Sequence, residues 1–189
     1  MQIREERRDD ADSVAELHRD AFGGDHGAVV AALVADLRAF ADSGSGLSLV
    51  AEENGAAAGH VMFSPGLLDA QARLVPIQIL SPVGVRPPSQ GKGIARALIR
   101  RGLEILSQRA VPAVFLEGDP GYYGRLGFVA ATPLGFRKPS LRIPDAGFQV
   151  MTLPAYESWM TGTVVYPDAF WRHDVVGIRD RTSANDNAQ

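Results

Sequence analysis

Apolar positions recur with two different periods along this chain, and the changes of period mark out its elements. Val14, Leu17, Ala21 and Phe22 share a helical face with His18, behind an acidic entry, Asp9-Asp10-Ala11-Asp12, whose carboxylates suit the free amides of a helix start. Gly23-Gly24 ends that helix, and Val29, Val30, Leu33, Val34, Leu37 and Phe40 predict a second over 26–41. Ahead of both, residues 2–5 read as a short strand. Two apolar runs, 47–52 and 57–63, flank Asn54-Gly55, a pair that favours a tight hairpin turn, so they predict antiparallel strands. After a connection containing Gly66 and Asp69 comes a third strand over 75–85. Pro82 lies inside it with no N–H to give to a ladder, so this strand is expected to be bulged, or unpaired on one side, near its middle.

The helical period returns over 91–109, with Ile94, Leu98, Leu103, Ile105 and Leu106 for packing and Lys92, Arg96, Arg100 and Arg101 for solvent or ligand. Residues 111–117 read as a buried strand. Asp119-Pro120 looks like an N-cap followed by proline at the first helical position, opening a short helix that ends before Gly127-Phe128. Beyond it, strand-like pieces such as 147–151 mix with prolines, and 175–189 is expected to be a disordered tail. No internal repeat is present. One α/β (α+β) domain over 1–174, with a mixed sheet, accounts for this order of elements.

Length agrees, since 189 residues suffice for one domain with a real core and fall short of two. The hydrophobic share of 46% and charged share of 22% are ordinary for a soluble protein, and no apolar run approaches the roughly 18 residues that cross a bilayer. Residues 1–14 hold no apolar core of the secretion-signal kind, so a cytoplasmic location and no membrane partner are expected. A net charge of -3 gives no global basic field, and nucleic acid is not an expected partner. The absence of cysteine removes disulfides, thiolate metal sites and a cysteine nucleophile. The histidines at 18, 26, 60 and 173 show no metal-ligand spacing, so no metal is expected.

The candidate chemistry lies where the third strand gives way to the long helix, in Val83-Gly84-Val85-Arg86-Pro87-Pro88-Ser89-Gln90-Gly91-Lys92-Gly93-Ile94-Ala95. The first amides of a helix have no intrahelical partner and its N-terminus is partly positive, so an anion fits there; Gly91 and Gly93 let the backbone approach it. A P-loop needs Gly-Lys-Ser/Thr, whereas Gly91-Lys92 is followed by Gly93. The dinucleotide fingerprint needs a third glycine where Arg96 stands.

The pattern Gln/Arg-x-x-Gly-x-Gly/Ala, present as Gln90-Gly91-Lys92-Gly93-Ile94-Ala95, resembles the GNAT superfamily of N-acetyltransferases, in which this turn grips the pyrophosphate of acetyl-CoA. A second stretch, Tyr123-Gly124-Arg125-Leu126-Gly127-Phe128, is similar to that family's next motif, in the expected order and one helix and one strand further on. The resemblance covers residues 1–130 and is strongest over 75–128. It implies a GNAT-like fold: a mixed, mostly antiparallel central sheet with a splayed, bulged strand and flanking helices. It also implies acetyl-CoA as cosubstrate, with the backbones of Val83 and Val85 facing pantetheine and the amides of Gly91, Lys92, Gly93, Ile94 and Ala95 facing the pyrophosphate. Gln90 would close the turn, and Arg86, Lys92 and Arg96 would add positive charge. The family's helix before the tyrosine usually begins with Asn; here Gly118-Asp119-Pro120-Gly121 stands instead, and Asp119 is read as a cap.

Amide formation needs a neutral amine, a site for the oxyanion, and a proton for the departing thiolate. The resemblance makes Tyr123 the candidate acid, and a backbone amide near Val83 the oxyanion donor. Glu117, His60 and Ser81 are open candidates for a general base, alongside a water chain. Without a cysteine, direct attack in a ternary complex is favoured over a cysteinyl acyl-enzyme. The expected acceptor is a small-molecule amine or a protein or peptide amine. Its pocket is expected around Gly23 to Gly27 and from Phe136, Tyr156, Trp159, Tyr166 and Trp171, which serve equally as core or as a homodimer face; Asp25 or Asp168 could attract an ammonium. A noncatalytic acyl-CoA sensor and an ATP-binding domain using the same turn are the competing readings.

Overall fold

The computed structural model describes residues 1–179. In chain order it comprises β1 (Gln2–Glu5), α1 (Ala11–Phe22), α2 (Gly24–Asp42), β2 (Leu47–Glu53), β3 (Ala56–Ala70), β4 (Leu74–Val85), α3 (Ile94–Gln108) and β5 (Ala113–Glu117). There follow α4 (Pro120–Tyr123), β6 (Val129–Ala130), β7 (Phe136–Arg137), β8 (Phe148–Thr152), β9 (Gly162–Val165) and α5 (Asp168–Arg172). The strands form a nine-stranded sheet in the order β1-β2-β3-β4-β5-β8-β6, with β9 on the far half of β3 and β7 beside β9. All pairings are antiparallel except β4 with β5 and β7 with β9. The mixed, mostly antiparallel sheet expected from the sequence is therefore present.

Asn54 and Gly55 take positive φ angles of 52° and 78°, the geometry that lets a two-residue turn match the twist of the strands it joins. That turn sets the register of β2 on β3. The expected connection after residue 63 is instead strand, since β3 runs on to Ala70. Pro65 is tolerated inside it because it falls between the last partner on β2, Phe63↔Leu47, and the first on β9, Leu67↔Val165. The β9 partner lies about a hundred residues downstream and left no local signal.

Bulging near Pro82 is observed. Val61 pairs with Val83 and Phe63 with Leu80, so Ser81 and Pro82 together oppose Met62. On the other edge, β4 pairs with β5 only through Gln78↔Val114 and Ile79↔Phe115. Past that point the two strands part, and the edge of β4 from Leu80 to Val85 faces no strand.

Helices cover both faces. α1, α2 and α5 pack on a core that includes Val14, Leu17, Leu37, Phe115 and Phe148; α3 packs on the other, with Leu49, Val61, Phe63, Leu98 and Leu116. α3 lies close to the sheet because β3 and α3 are bare where they meet. A Cβ on Gly59 would stand 2.6 Å from Ile94 Cγ2, and one on Gly102 would stand 2.2 Å from the Phe63 ring. The tail expected from residue 175 begins later: Val176 is fully buried and the Gly177 and Ile178 amides are hydrogen-bonded, because this segment packs back onto the end of β5. The rest of that expectation, 180–189, lies outside the described residues.

Gly102→Ala is expected to lower stability by about 1–3 kcal/mol, as overpacking against Phe63. Urea unfolding should show an earlier midpoint at unchanged slope; an unchanged midpoint contradicts the close packing of α3.

Candidate active site

A cleft of about 460 Å³ opens where β4 and β5 separate. Val83 and Val85 supply its strand wall, Gln90, Gly91, Gly93, Ile94 and Ala95 its glycine turn, and Tyr122, Arg125 and Leu126 the opposite wall. Seven of the eight residues the sequence suggested for cofactor binding thus come together. Lys92 does not line this cleft; it faces a separate groove beside Glu53 and Pro88. Ser89, Arg96, Tyr122, Arg125 and Leu126 complete the lining; Tyr123, the candidate acid, packs behind that wall and does not line the cleft. That wall follows from the second motif, had it been read as a surface instead of a single side chain.

Local chemistry explains the turn. Gly91 and Gly93 adopt φ angles of +75° and +81°, a region that side-chain-bearing residues avoid, and a Cβ on either would meet no atom of the protein. Backbone freedom is what these positions require, and the space before them is open. Gly93 caps α3 without a side-chain hydrogen bond, and the first intrahelical bond runs from Ala97 N–H to Gly93 O at 3.0 Å. The amides of Ile94, Ala95 and Arg96 therefore precede the helical ladder, at the positive end of a 15-residue helix. Gln90 ties the turn to the strand, its Nε2 donating to Val85 O at 3.0 Å. That bond occupies the Val85 carbonyl, which leaves Val83 as the freer backbone on this wall.

Arg86, read from the sequence as a positive contributor, is engaged elsewhere. It pairs with Asp20 at 2.6 Å and Glu16 at 3.1 Å on α1 and donates to Ala57 O, pinning α1 to the sheet. Arg96 and Arg125 are the cations on the cleft.

On the far wall, Asp119 caps α4 through the Gly121 amide at 2.9 Å. Gly118 is fixed from both sides: its N–H donates to Gly147 O, and its carbonyl accepts from Gln149 Nε2, both at 3.0 Å. The Tyr123 ring lies on that bare position, where a Cβ would come within 2.3 Å of it, and meets Phe128 edge-on. Burial, with Tyr122 adjacent, pushes the Tyr123 phenol up to about 12, so it holds its proton at neutral pH. Tyr122 lines the cleft directly and is 37% exposed.

The three candidate bases fare differently. Glu117 lies at the end of β5, where burial pushes its carboxyl up while the Gly177 amide, donating at 2.9 Å, holds one oxygen. His60 is fully buried on the opposite face of the sheet, with both ring nitrogens partnered. Ser81 sits in the bulge of β4. Of the aromatics expected around an acceptor, Phe136 and Tyr166 are core, and Tyr156 and Trp159 pack against it; Trp171 is 40% exposed. Asp168 is paired with Arg172 at 2.6 Å. Among the described residues, no cluster of three or more His, Asp or Glu side chains could hold a metal, and no helix is long and apolar enough to cross a membrane.

An uncapped helix start beside a parted pair of strands defines a class, and comparison with known proteins agrees. The profile of the acetyltransferase (GNAT) domain matches residues 2–131. An uncharacterized N-acetyltransferase of Escherichia coli, YhbS, is 35% identical over 176 residues, covering 91% of this chain and 99% of its own. A second from that organism, YjhQ, is 32% identical over 83% of this chain and 87% of its own. Among solved structures, E. coli YhbS in complex with CoA superposes with a TM-score of 0.78 at 32% identity, covering 90% of this chain and 92% of that one. A GNAT acetyltransferase of Brucella melitensis in complex with acetyl-CoA gives 0.70 at 34% identity, covering 89% and 97%. The chain belongs to the GNAT acetyltransferase family and is an N-acetyltransferase by class.

Two groups on the buried face predict how stability responds to pH. Burial lowers His18 from the usual 6.5 to about 3. Burial opposes ionisation of Glu6, but His60, Ser48 and Arg38 outweigh it and hold that carboxylate at about 2, below the usual 4.5. Both therefore bind a proton more weakly in the folded chain than in the unfolded one. Stability should be complete above pH 6.5 and fall as pH drops, first through His18 and below 4.5 through Glu6 as well, by at most about 1.4 kcal/mol per pH unit per group. Urea unfolding at pH 7.5, 6.0 and 5.0 checks this, and stability that stays level over that interval contradicts it.

Proposed function

We propose that this protein transfers the acetyl group of acetyl-CoA to an amine by direct attack within a ternary complex. The observation that carries the reading is the free amide row at Ile94, Ala95 and Arg96 opening on the same cleft as the unpaired edge of β4. A diphosphate fits the first, through aligned N–H groups and the helix dipole. An extended pantetheine amide chain fits the second, bonding to the backbone of Val83 as a further strand would. The CoA and acetyl-CoA complexes of the two solved relatives favour the same assignment.

In this reading Gly91, Gly93, Ile94 and Ala95 hold the pyrophosphate with Arg96 and Arg125 nearby, and Gln90 keeps the turn closed. The backbone of Lys92 belongs to the same turn, although its side chain faces the other groove. The amine attacks the thioester carbon in the gap between β4 and β5, with a β4 amide near Val83 donating to the oxyanion. Tyr123 then donates to the leaving thiolate, its raised phenol keeping the proton until the sulfur develops charge. The acceptor is a small-molecule or peptide amine reaching the gap from the α1–α2 side.

Calorimetry should detect CoA, and thiol release should follow when acetyl-CoA is mixed with spermidine, kanamycin, tyramine or a lysine peptide. Gly93→Val should weaken CoA at least roughly tenfold, because it strains the turn while meeting no protein atom. Tyr123→Phe should lower kcat by about 10² at little changed KM, and Tyr122→Phe by much less. No uptake of CoA would sink the reading, and CoA binding without turnover of any amine would favour the sensor instead.

A further inference from the structure

On the face of the sheet opposite the cleft, four polar side chains form a continuous file. Glu6 Oε2 meets Ser48 Oγ, Ser48 Oγ meets His60 Nε2 at 2.8 Å, and His60 Nδ1 meets His18 Nε2 at 2.8 Å. Both imidazoles are fully buried and Ser48 is 4% exposed. The outer end reaches water, since Glu6 and Ser48 line a polar cleft of about 110 Å³ together with Arg7, Arg8 and Arg38. The inner end stops at His18 Nδ1, which is buried and has no partner.

With both imidazoles neutral, the carboxylate fixes the direction of every bond in the file. Ionised Glu6, also paired with Arg38 at 2.9 Å, can only accept, so the Ser48 hydroxyl donates to it. The Ser48 oxygen then accepts from His60 Nε2–H, which leaves His60 Nδ1 as an acceptor. His18 must therefore donate from Nε2, and its Nδ1 carries a bare lone pair. That lone pair stands against β4: a Cβ on Gly84 would lie 2.8 Å from it, and Gly84 is the residue between Val83 and Val85 on the cleft wall. Phe22 stacks on the His18 ring at 5.9 Å, meets His26 edge-on at 5.5 Å and is itself 37% exposed, beside the α1–α2 turn.

We propose that His18 Nδ1 accepts the proton of the attacking amine and that the file His18–His60–Ser48–Glu6 carries it to the outer cleft; this rests on the acetyltransferase reading above. The neutral amine forms its N–C bond to the thioester carbon, and the C–S bond breaks as Tyr123 protonates the thiolate. The cationic nitrogen of the adduct loses its proton to His18 Nδ1. His18 Nε2–H passes to His60 Nδ1, His60 Nε2–H to Ser48, and the Ser48 proton to Glu6 and so to water. Solvent returns one proton to Tyr123; once the product has left, His18 releases its Nδ1 proton to water in the gap while the file takes one back through Glu6, which restores both starting tautomers, and the sum is amide plus free thiol. A weak base suffices, because an N-protonated adduct is far more acidic than the amine that formed it. Burial keeps the His18 ring neutral and its lone pair available at working pH. The other candidate at the gap, Glu117, has an oxygen committed to the Gly177 amide.

Ser48→Ala removes the link away from both ends, leaving His60 Nε2 facing Glu6 Oε2 across 3.4 Å, too long for direct proton transfer, and it leaves cofactor contacts untouched. With acetyl-CoA and whichever of the four amines wild type acetylates, it should lower kcat by about 10² while CoA affinity and KM for acetyl-CoA stay unchanged. Ser48→Thr, which keeps the hydroxyl, should restore the rate. Ring-nitrogen NMR of the wild-type chain should show His18 protonated on Nε2 and bare on Nδ1. A folded Ser48→Ala protein with full kcat overturns the relay and leaves the acetyltransferase reading standing, whereas a wild type that acetylates no amine overturns that reading and the relay with it. If Ser48→Ala does not fold, the spectrum decides, and a proton on His18 Nδ1 overturns the relay.

Discussion

The parting of β4 from β5 is the constraint on which the rest of this molecule depends. Two paired positions, Gln78↔Val114 and Ile79↔Phe115, lock the strands together, and two residues later Ser81 and Pro82 share one partner on β3. A bulge adds a residue on one strand and increases its twist, which turns the following backbone away from its neighbour. An unpaired central edge would ordinarily be costly, because buried amides and carbonyls without partners lose the hydrogen bonds they had with water. Here that edge opens on a cleft, where it stays hydrated or meets a ligand. The glycine turn then follows directly, so the row of free amides and the free edge are placed by one continuous segment, from Leu80 to Arg96.

Packing on the two faces keeps that segment from collapsing. On the α3 face, Gly59 and Gly102 let the helix sit against β3, and Ile94 and Leu98 anchor its first turns at the cradle. On the α1 face, Gly84 has no side chain, and the His18 ring occupies the space a Cβ would need. Arg86, one residue beyond the strand, ties the same stretch to α1 through Asp20 and Glu16. The wall of the cleft is thus gripped from both sides by contacts that specify glycine or a fixed cation at particular positions.

Much of this was legible in the sequence because the signals are local. Helical periodicity gave α1, α2 and α3, Asn54-Gly55 gave the hairpin, and Pro82 gave the irregular strand. The strand end and the glycine turn gave one side of the cleft, while the second motif was read for a single side chain and not as the opposite wall. What was not legible depends on distant partners. The second half of β3 is a strand because β9 pairs with it, and Val176 is buried because Glu117 and the Arg142 carbonyl receive the amides of Gly177 and Ile178. Arg86 looked like a phosphate cation, being next to the turn, yet the carboxylates on α1 claim it. His18 and His60 lie 42 residues apart in sequence, one read on the packing face of a helix and the other as an open candidate base, and only folding makes them one file.

That file is hard to explain by stability. Burying a carboxylate, a hydroxyl and two imidazoles is favourable only when every donor and acceptor is matched, and replacing such a network with apolar side chains of similar volume is often neutral or stabilising. From Glu6 to His18 each link is matched except the last, and an unpartnered buried nitrogen costs about 1–3 kcal/mol; Arg38 Nη2, 2.9 Å from Glu6 Oε1, is held by charge alone, without a hydrogen bond. A purely structural network would place its unmet atom at the surface, where water satisfies it without cost. The surface end is closed by the Glu6–Arg38 ion pair, while the unmet nitrogen of His18 sits against the strand that walls the cleft. The asymmetry points inward, toward the chemistry, and it is set by the position of a single carboxylate.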